Sequence, residues 1–470
     1  MRYDPSVHQR FPEMSPEPYD VLVIGGGLAA LCVALAAREA GASVLVVDRA
    51  PEPLRGGNAR HSRNLRIAHD APSPLFPGRY GVEEFIADLE ATHEGHGDPA
   101  LVRLLAQGSA ELPGWLQARG VRFQLPERGA LPWSRKTAFF LGGGRTLMNT
   151  LYAAAADRGV EIRYDTHVTH LHLEDARVHT VPTRGPEGDG VLRARRVVCC
   201  SGGYQADRRA LAAAGCPGAQ HYINRGSPHV TGDLLLQLLD QGAAPAGVPG
   251  SCHRVAVHAC SPPEDGGIVT RVDGMPWGLV VDVHGRRFRD EGEEITPRRY
   301  SAWGRWVSDL PGARAHLILD DAGLQRAPPS LYPPVTANTL EDLALRLGLP
   351  PGALDRTVQH YHAARVDGGD DPLAHHTRGL TPPKSRCALP LEGPPFHAWT
   401  LAPGVTFTGH GLAVDPRGRI RRRHGPPCET LYAAGMIMSP AVLGPGYVAG
   451  AALTLCAVFG RIAGEAAARG

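Results

Sequence analysis

The chain has 470 residues, with 49 Lys+Arg against 47 Asp+Glu and a formal net charge of +2. That length exceeds one compact core and predicts two to four units of about 150 residues each. The near-neutral balance excludes a global electrostatic footprint for nucleic acid or an anionic membrane, and 43% hydrophobic with 20% charged residues excludes a largely disordered chain. The 57 glycines and 42 prolines make up about a fifth of the chain, against a usual ~12%. Lysine is confined to Lys136 and Lys384, so nearly all positive charge is arginine. GC-rich coding accounts for the arginine; the glycines fall in patterned clusters and need a chemical reason.

Residues 1–17 read as a loose polar tail without the apolar stretch of a signal peptide. Tyr19 to Ile24 is a buried-strand candidate, followed by Gly25-Gly26-Gly27 and an Ala/Leu-rich helix, Leu28 to Ala40, with Gly41 in a C-cap position. Ser43 to Asp48 is the next strand, which completes a βαβ unit and predicts a parallel sheet. Gly81 to Gly120 is amphipathic and helical. Val160–Tyr164, Thr166–Leu173 and Val191–Cys200 read as β-structure, and Thr231–Gly242 as a helix. On the middle strand His170 and His172 share a face; with no third ligand in the pattern, the expectation is a solvent-facing pair. Residues 235–375 are Pro-rich and irregular apart from a strand at Leu279–Val283, and read as an inserted domain. The sheet signal resumes at Trp399–Val414. Arg417 to His424 holds five arginines between strand-like runs and reads as a solvated hairpin tip.

The uncharged stretch Leu431–Gly460 is long enough to suggest a membrane span. Pro440, Gly444, Pro445 and Gly446 interrupt it, so a buried strand, glycine loop and helix is expected instead. Nine scattered cysteines with no CxxC pair argue against a disulfide framework or a zinc site. The expectation is a soluble, cytoplasmic protein that does not span a membrane and binds no metal.

Gly25-x-Gly27-x-x-Ala30 lies between strand and helix, with Asp48 at the end of the second strand. This is a dinucleotide fingerprint. The first glycine permits a tight turn, the second lets backbone approach a pyrophosphate, and the small third residue lets helix pack on strand. The helix N-terminus faces the phosphates and the acid takes the ribose hydroxyls. A second glycine turn, Gly56-Gly57-Asn58-Ala59-Arg60-His61-Ser62-Arg63-Asn64, follows soon after, suiting a longer cofactor. The C-terminal return, Thr430 to Gly435 and then Leu443 to Gly450 before an apolar helix, points to FAD rather than NAD.

At these residues the chain resembles the fumarate reductase/succinate dehydrogenase flavoprotein superfamily. The resemblance also runs through Gly142-Gly143-Gly144-Arg145, Cys200-Ser201-Gly202-Gly203-Tyr204, Thr231-Gly232-Asp233, Arg287-Phe288 with Glu291, and Phe459-Gly460-Arg461. Within it, Gly57-Asn58-Ala-Arg60-His61-Ser-Arg63-Asn64-Leu-Arg66 and the Leu443–Gly450 loop look most like tricarballylate dehydrogenase-type proteins. The resemblance implies an α/β, Rossmann-like FAD-binding domain of glutathione reductase type with an inserted α+β substrate-capping domain. The boundaries read as 18–234 and 376–470 for the first and 235–375 for the second. It implies a cofactor set of Gly25, Gly27, Leu28, Ala29, Ala30, Asp48, Arg49, Gly56, Gly57, Asn58, Arg60, Val168, Ser201, Gly202, Gly203, Asp233, Gly435, Met436, Gly450 and Leu453.

The implied reaction is dehydrogenation of a CH–CH bond α,β to a carboxylate or ketone, with hydride passing to flavin N5 and a proton to a base. Arg298 and Arg299 are the candidates for the proton, with Glu291 or Glu294 as their support. Tyr447, His410 and His61 are further catalytic candidates. The chain departs from fumarate reductases at Tyr447, where they carry a clamping arginine, at Phe407-Thr408-Gly409-His410-Gly411, where their histidine is displaced, and at Met436, where an acid is usual. A tyrosine near a glycine in this loop is similar to 3-ketosteroid dehydrogenases, where such a pair holds a ketone oxygen. The substrate is therefore expected to be a small polycarboxylate or an enone or ketone, with an electron acceptor that the residues do not name. A fumarate reductase-like enzyme, a non-redox flavoprotein such as an isomerase, and an NAD-dependent dehydrogenase are the competing readings.

Overall fold

The computed structural model describes residues 17–125, 134–296 and 299–470, so the N-terminal tail up to residue 16 and Arg298 lie outside the described residues. The described chain forms two compact units. The first takes residues up to Asp207, Ser227–Cys252 and Phe407–Gly470; the second takes Arg208–Gly226 and His253–Thr406.

In the first unit, Tyr19–Ile24 (β1) and Val44–Val47 (β2) are short runs of branched and apolar residues buried on both faces. That pattern belongs to the middle of a parallel sheet. They pair in parallel, Val21 opposite Val44, and β1 pairs on its other edge with Gly188–Cys199 (β3), Val23 opposite Val198. Glu161–Arg163 extends the sheet beyond β2, and Leu431–Ala433 (β4) returns from the far end of the sequence to pair with β3. His179–Gly185 adds an antiparallel hairpin to β3.

Leu28–Glu39 (α1) is buried along ten of its twelve residues, so it is an interior helix rather than an amphipathic cover. Its partner is Ala451–Arg469 (α2). A Cβ on Gly460 would lie 2.7 Å from the Cys32 Cβ, and one on Gly464 would lie 2.4 Å from the Val33 carbonyl oxygen. The two glycines let the helix backbones approach closely. Helix α2 is apolar enough to cross a membrane, yet 72% of its most apolar window is buried inside the protein.

The second unit is built on a sheet containing residues 396–406, with Ala315–Leu319 antiparallel to them (Leu317 opposite Trp399) and Leu279–Val281 next in order. One core cluster gathers Trp303, Val307, Leu317 and Trp399. Another joins Leu343, Leu354, Val358 and Tyr361 to the sheet.

The expectation of an irregular insertion over 235–375 is corrected. That span holds the helices Arg299–Ser308, Leu340–Leu347 and Ala353–Ala364 and the whole of the strand Pro245–His258. Its prolines sit largely between elements, and Thr339 caps a helix by accepting the Asp342 N–H. The units also divide elsewhere than at 235 and 375. Residues 376–406 join the second unit because Phe396–Leu401 pairs within its sheet, and 208–226 join it through Ile223–Asn224, which pairs with Gly404–Val405. Of the strand expected at Thr166–Leu173, only His167–Val168 forms a ladder. The following backbone is bonded instead to glutamine side chains of Asp233–Asp240 (α3) and of its C-cap: Gln237 donates to the Thr169 carbonyl and the C-cap Gln241 to that of Leu171. Arg417–His424 is a hairpin as expected, its arginines tied to Asp415 and Asp175.

Candidate functional site

The glycine fingerprint of the first unit is shaped by close backbone approach. Gly25 has φ +116°, and a Cβ there would stand 2.6 Å from the Cys200 carbonyl oxygen. A Cβ on Gly26 would strike the Asp48 carboxylate at 2.0 Å. At Gly27 the direction reverses: a Cβ there would meet nothing within 4 Å. Gly27 opens onto free space at the start of α1, and the Gly56-Gly57 turn flanks it, with Gly57 backed at 3.6 Å by the Gly27 Cα. Two backbone segments thus enclose a cradle at a helix N-terminus, the geometry that takes an anionic diphosphate.

Asp48 lies beside this cradle and is 8% exposed. Burial lifts its carboxyl to about 6, opposed by the Ala50 N–H and the Arg60 guanidinium. Tyr152, which sequence reasoning missed, donates to the Gly26 carbonyl at 2.7 Å and fixes the middle of the fingerprint. Nothing in its local sequence marks it, because it lies on a helix more than a hundred residues away. At the opposite wall Ser201 Oγ is buried with no protein partner, directly after the carbonyl that packs on Gly25. An open cradle, a buried acid beside it and an orphaned hydroxyl fit FAD, and Gly27, Gly57, Asp48 and Ser201 are the residues that would hold it.

The other sequence-selected residues divide into two groups. Ala30 is fully buried under the sheet. Gly435, at φ +81°, packs on Ala29, and Gly450 caps α2 where Leu65 and Arg66 cross it. Met436 follows Gly435 in a short helical turn, and Leu453 is buried near the start of α2. Gly202 and Gly203 are kept small by Val230 and Thr408. Arg49 does not point to open space. It forms an ion pair with Asp233 at 2.8 Å and donates to Thr231; His167, next to Val168, faces the same carboxylate at 3.2 Å. Asn58 accepts the Ser227 N–H at 2.8 Å. Arg60 is buried, donates to the Leu54 carbonyl and contacts His61 Nε2 at 3.3 Å. It lines a cleft of about 400 Å³ with Arg55, Arg145 and Met148. Arg63, by contrast, is exposed and stacks over Phe139.

His410 and Tyr447 are brought to the cofactor segment within this same unit. His410 lies edge-on to Tyr204, ring centroids 6.3 Å apart, and burial pushes its imidazole below the ordinary range. Phe407, on the same strand, meets Tyr447 at 5.6 Å. The glycine loop carrying Tyr447 is seated tightly, since Cβ atoms on Gly444 and Gly446 would strike the His93 and Thr92 carbonyl oxygens at 2.5 and 1.9 Å. The Tyr447 hydroxyl oxygen accepts the Gly450 N–H at 3.2 Å. The phenol and the helix-start amide thus stand side by side, the amide donating to the phenol oxygen.

In the second unit Arg299 begins the helix Arg299–Ser308. Its Nε lies 2.8 Å from Asp273 Oδ1, and Arg271 reaches the other carboxylate oxygen at 3.1 Å. Asp273 is buried, which raises its carboxyl, while the two arginines pull it down. The support for Arg299 is thus Asp273. Glu291 is committed to Arg287 and the Val280 N–H, and Glu294 to Thr296. Nearby in sequence order, His253 is fully buried and pushed down to about 3 by burial and by Arg225 and Arg254.

The chain belongs to the FAD binding domain family, whose pattern matches residues 20–452. It is an FAD-dependent oxidoreductase of the fumarate reductase/succinate dehydrogenase flavoprotein superfamily, acting on CH–CH bonds. Among curated proteins it is 27% identical over 468 residues to a probable fumarate reductase, Ifc3, of Shewanella frigidimarina, covering 96% of this chain and 75% of that one. It is 23% identical over 470 residues to the NADH:fumarate oxidoreductase of Klebsiella pneumoniae, of which the chain spans about half the length (48%). It is 26% identical over 352 residues to a 3-oxosteroid 1-dehydrogenase of Mycolicibacterium smegmatis, covering 67% of this chain and 61% of that one. Among solved structures, the open conformation of a flavocytochrome c3 fumarate reductase matches with TM-score 0.77 at 26% identity, covering 97% of this chain and 78% of that one. These findings set aside the NAD-dependent reading.

Proposed function

We propose that this enzyme moves a hydride between flavin N5 and a substrate CH–CH bond α,β to a carbonyl group, which it polarises with Tyr447 and Gly450. The carrying observation is the adjacency of the Tyr447 hydroxyl and the Gly450 amide at the start of α2. A carbonyl oxygen entering there accepts from the phenol O–H and replaces the phenol oxygen as acceptor of the Gly450 N–H, and the α-hydrogen becomes acidic as charge develops on that oxygen. When bound, FAD supplies the hydride acceptor. The chain supplies the cradle, the oxygen-binding pair and the proton group.

For the proton group the second unit offers Arg299, which pairs with buried Asp273 at 2.8 Å. Guanidinium is ordinarily always charged, and Asp273 is placed to stabilise the cationic form between transfers. His410 orients the neighbouring wall rather than titrating, because burial favours its neutral form.

For the substrate, a polycarboxylate of the tricarballylate kind is supported by the likeness to fumarate reductases, enzymes of a dicarboxylate. A ketone or enone is the second reading, favoured by the absence of an arginine at position 447. A cytoplasmic location accompanies the proposal, supported by nine free cysteines, eight of them buried. The test is anaerobic flavin bleaching against a panel of tricarboxylates, dicarboxylates and steroid ketones. Bleaching by a tricarboxylate alone supports the first substrate class, and by a ketone alone the second. Bleaching by neither, with turnover of a double-bond isomer, overturns the redox reading.

A further inference from the structure

The pair His170 and His172 stands outside the cofactor site, and its geometry is independent of the function proposed above. The two residues follow His167–Val168 and alternate outward from an extended segment, so their side chains share one face. His170 Nε2 and His172 Nδ1 lie 3.3 Å apart, with ring centroids 4.3 Å apart and planes at 72°. Two nitrogens each about 2.0–2.1 Å from one tetrahedral ion lie about 3.3–3.4 Å apart. The nitrogen separation is that bite; the centroids stand closer than the roughly 5 Å of two rings ligating in plane, so the exposed rings turn slightly to bring both lone pairs onto one ion.

The backbone that presents the pair is held on both sides of each histidine. Gln237 bonds the Thr169 carbonyl, Gln241 bonds the Leu171 carbonyl at 2.9 Å, and the Leu173 N–H returns to Gln241 Oε1 at 2.8 Å. The Thr169 N–H is bonded to the Pro182 carbonyl. Residues 169, 171 and 173 are therefore pinned to α3 and to the hairpin, and 170 and 172 are presented without further ordering of the main chain. A preorganised chelate loses little conformational entropy on binding.

We propose that His170 and His172 form a binding site for a divalent transition-metal ion that prefers imidazole, of the zinc, nickel or copper type. Each ring ligates through the lone pair of the nitrogen facing its partner and carries its proton on the outer nitrogen. Among the described residues no third His, Cys, Asp or Glu completes the group, so water fills the remaining positions and the ion stays exchangeable.

The test uses the full-length, FAD-loaded protein expressed without a histidine tag, cleared with EDTA and titrated with zinc chloride and nickel chloride by calorimetry. One ion per chain is expected, with affinity lowered about ten-fold or more in both His170→Ala and His172→Ala. Gln241→Ala, which loosens the presenting backbone, weakens it less. The flavin spectrum stays unchanged in all three variants, which separates metal binding from cofactor loss. Absence of stoichiometric binding by the wild type, or binding undiminished in either histidine variant, overturns the proposal.

Discussion

The two units solve the problem of placing charge in different ways. The first does it with backbone: a helix start, two glycine turns and an amide at Gly450. Only one buried carboxylate, Asp48, lies beside the cradle. The second does it with side chains. Arg287 and Glu291 are 4% and 0% exposed and pair at 2.5 Å, Asp273 sits between two arginines, and Lys384 is buried with its ammonium on the Pro276 and Gly278 carbonyls. Backbone dipoles are fixed by the fold and cannot be lost by rotation of a side chain. Side-chain pairs offer stronger fields, but each buried charge depends on one partner. Substitutions in the first unit should therefore disturb the cofactor through shape, and those in the second should act through unpaired charge.

The largest expected effect comes from Gly25→Val. The added atoms meet the Cys200 carbonyl, and φ +116° is foreign to valine. The purified protein should carry no flavin by absorbance at 450 nm, and retention of bound FAD would break the shape argument. Next comes Glu291→Ala, which leaves Arg287 buried without its carboxylate. A loss of about 3–5 kcal/mol is expected, read by urea denaturation, whereas a cost under 1 kcal/mol would show that the second unit does not rest on its ion pairs. Tyr447→Phe removes the phenol that sits on the Gly450 amide. It should slow anaerobic flavin reduction about 10²–10³-fold while leaving FAD content intact; an unchanged rate would remove the carbonyl-binding role.

The smallest effect sharpens the contrast by pH. Asp48 has a carboxyl raised to about 6 by burial, so its folded state favours the proton. Its contribution to apoprotein stability is full below its ordinary value near 3.9 and is lost as pH rises through 6. The loss is at most about 3 kcal/mol. Asp48→Asn should match the wild-type apoprotein at pH 4 and exceed it at pH 7 in denaturant midpoint. Equal midpoints at both values would show that solvent reaches the carboxylate.

This contrast also explains what could be read in advance. The fingerprint, Asp48, the second glycine turn and the C-terminal return were legible because backbone chemistry demands glycine at fixed spacing. Tyr447 stood out because it occupies a loop position where relatives carry arginine. Tyr152 and Asp273 were not legible: each meets its partner only after folding, and neither has a spacing rule. The support for Arg299 was sought at Glu291 and Glu294, neighbours in sequence, and came from Asp273, a neighbour in space. The second unit was read as irregular because proline density hid short helices whose caps, such as Thr339, are single residues. Domain limits suffered similarly, since Ile223–Asn224 and Phe396–Leu401 join their sheet through ladders that no local periodicity reveals.

The seam between α1 and α2 has a consequence for biogenesis. The fingerprint strand and helix emerge early from the ribosome, but the face of α1 that Gly460 and Gly464 fit against must wait for a segment made about four hundred residues later. Until then the apolar face of α1 lacks its α2 cover beside a half-built sheet. The nascent chain is thus exposed to aggregation over a long interval, and any ribosome stall before α2 leaves a product that holds the glycine turns of the cradle but not the helix that packs on α1.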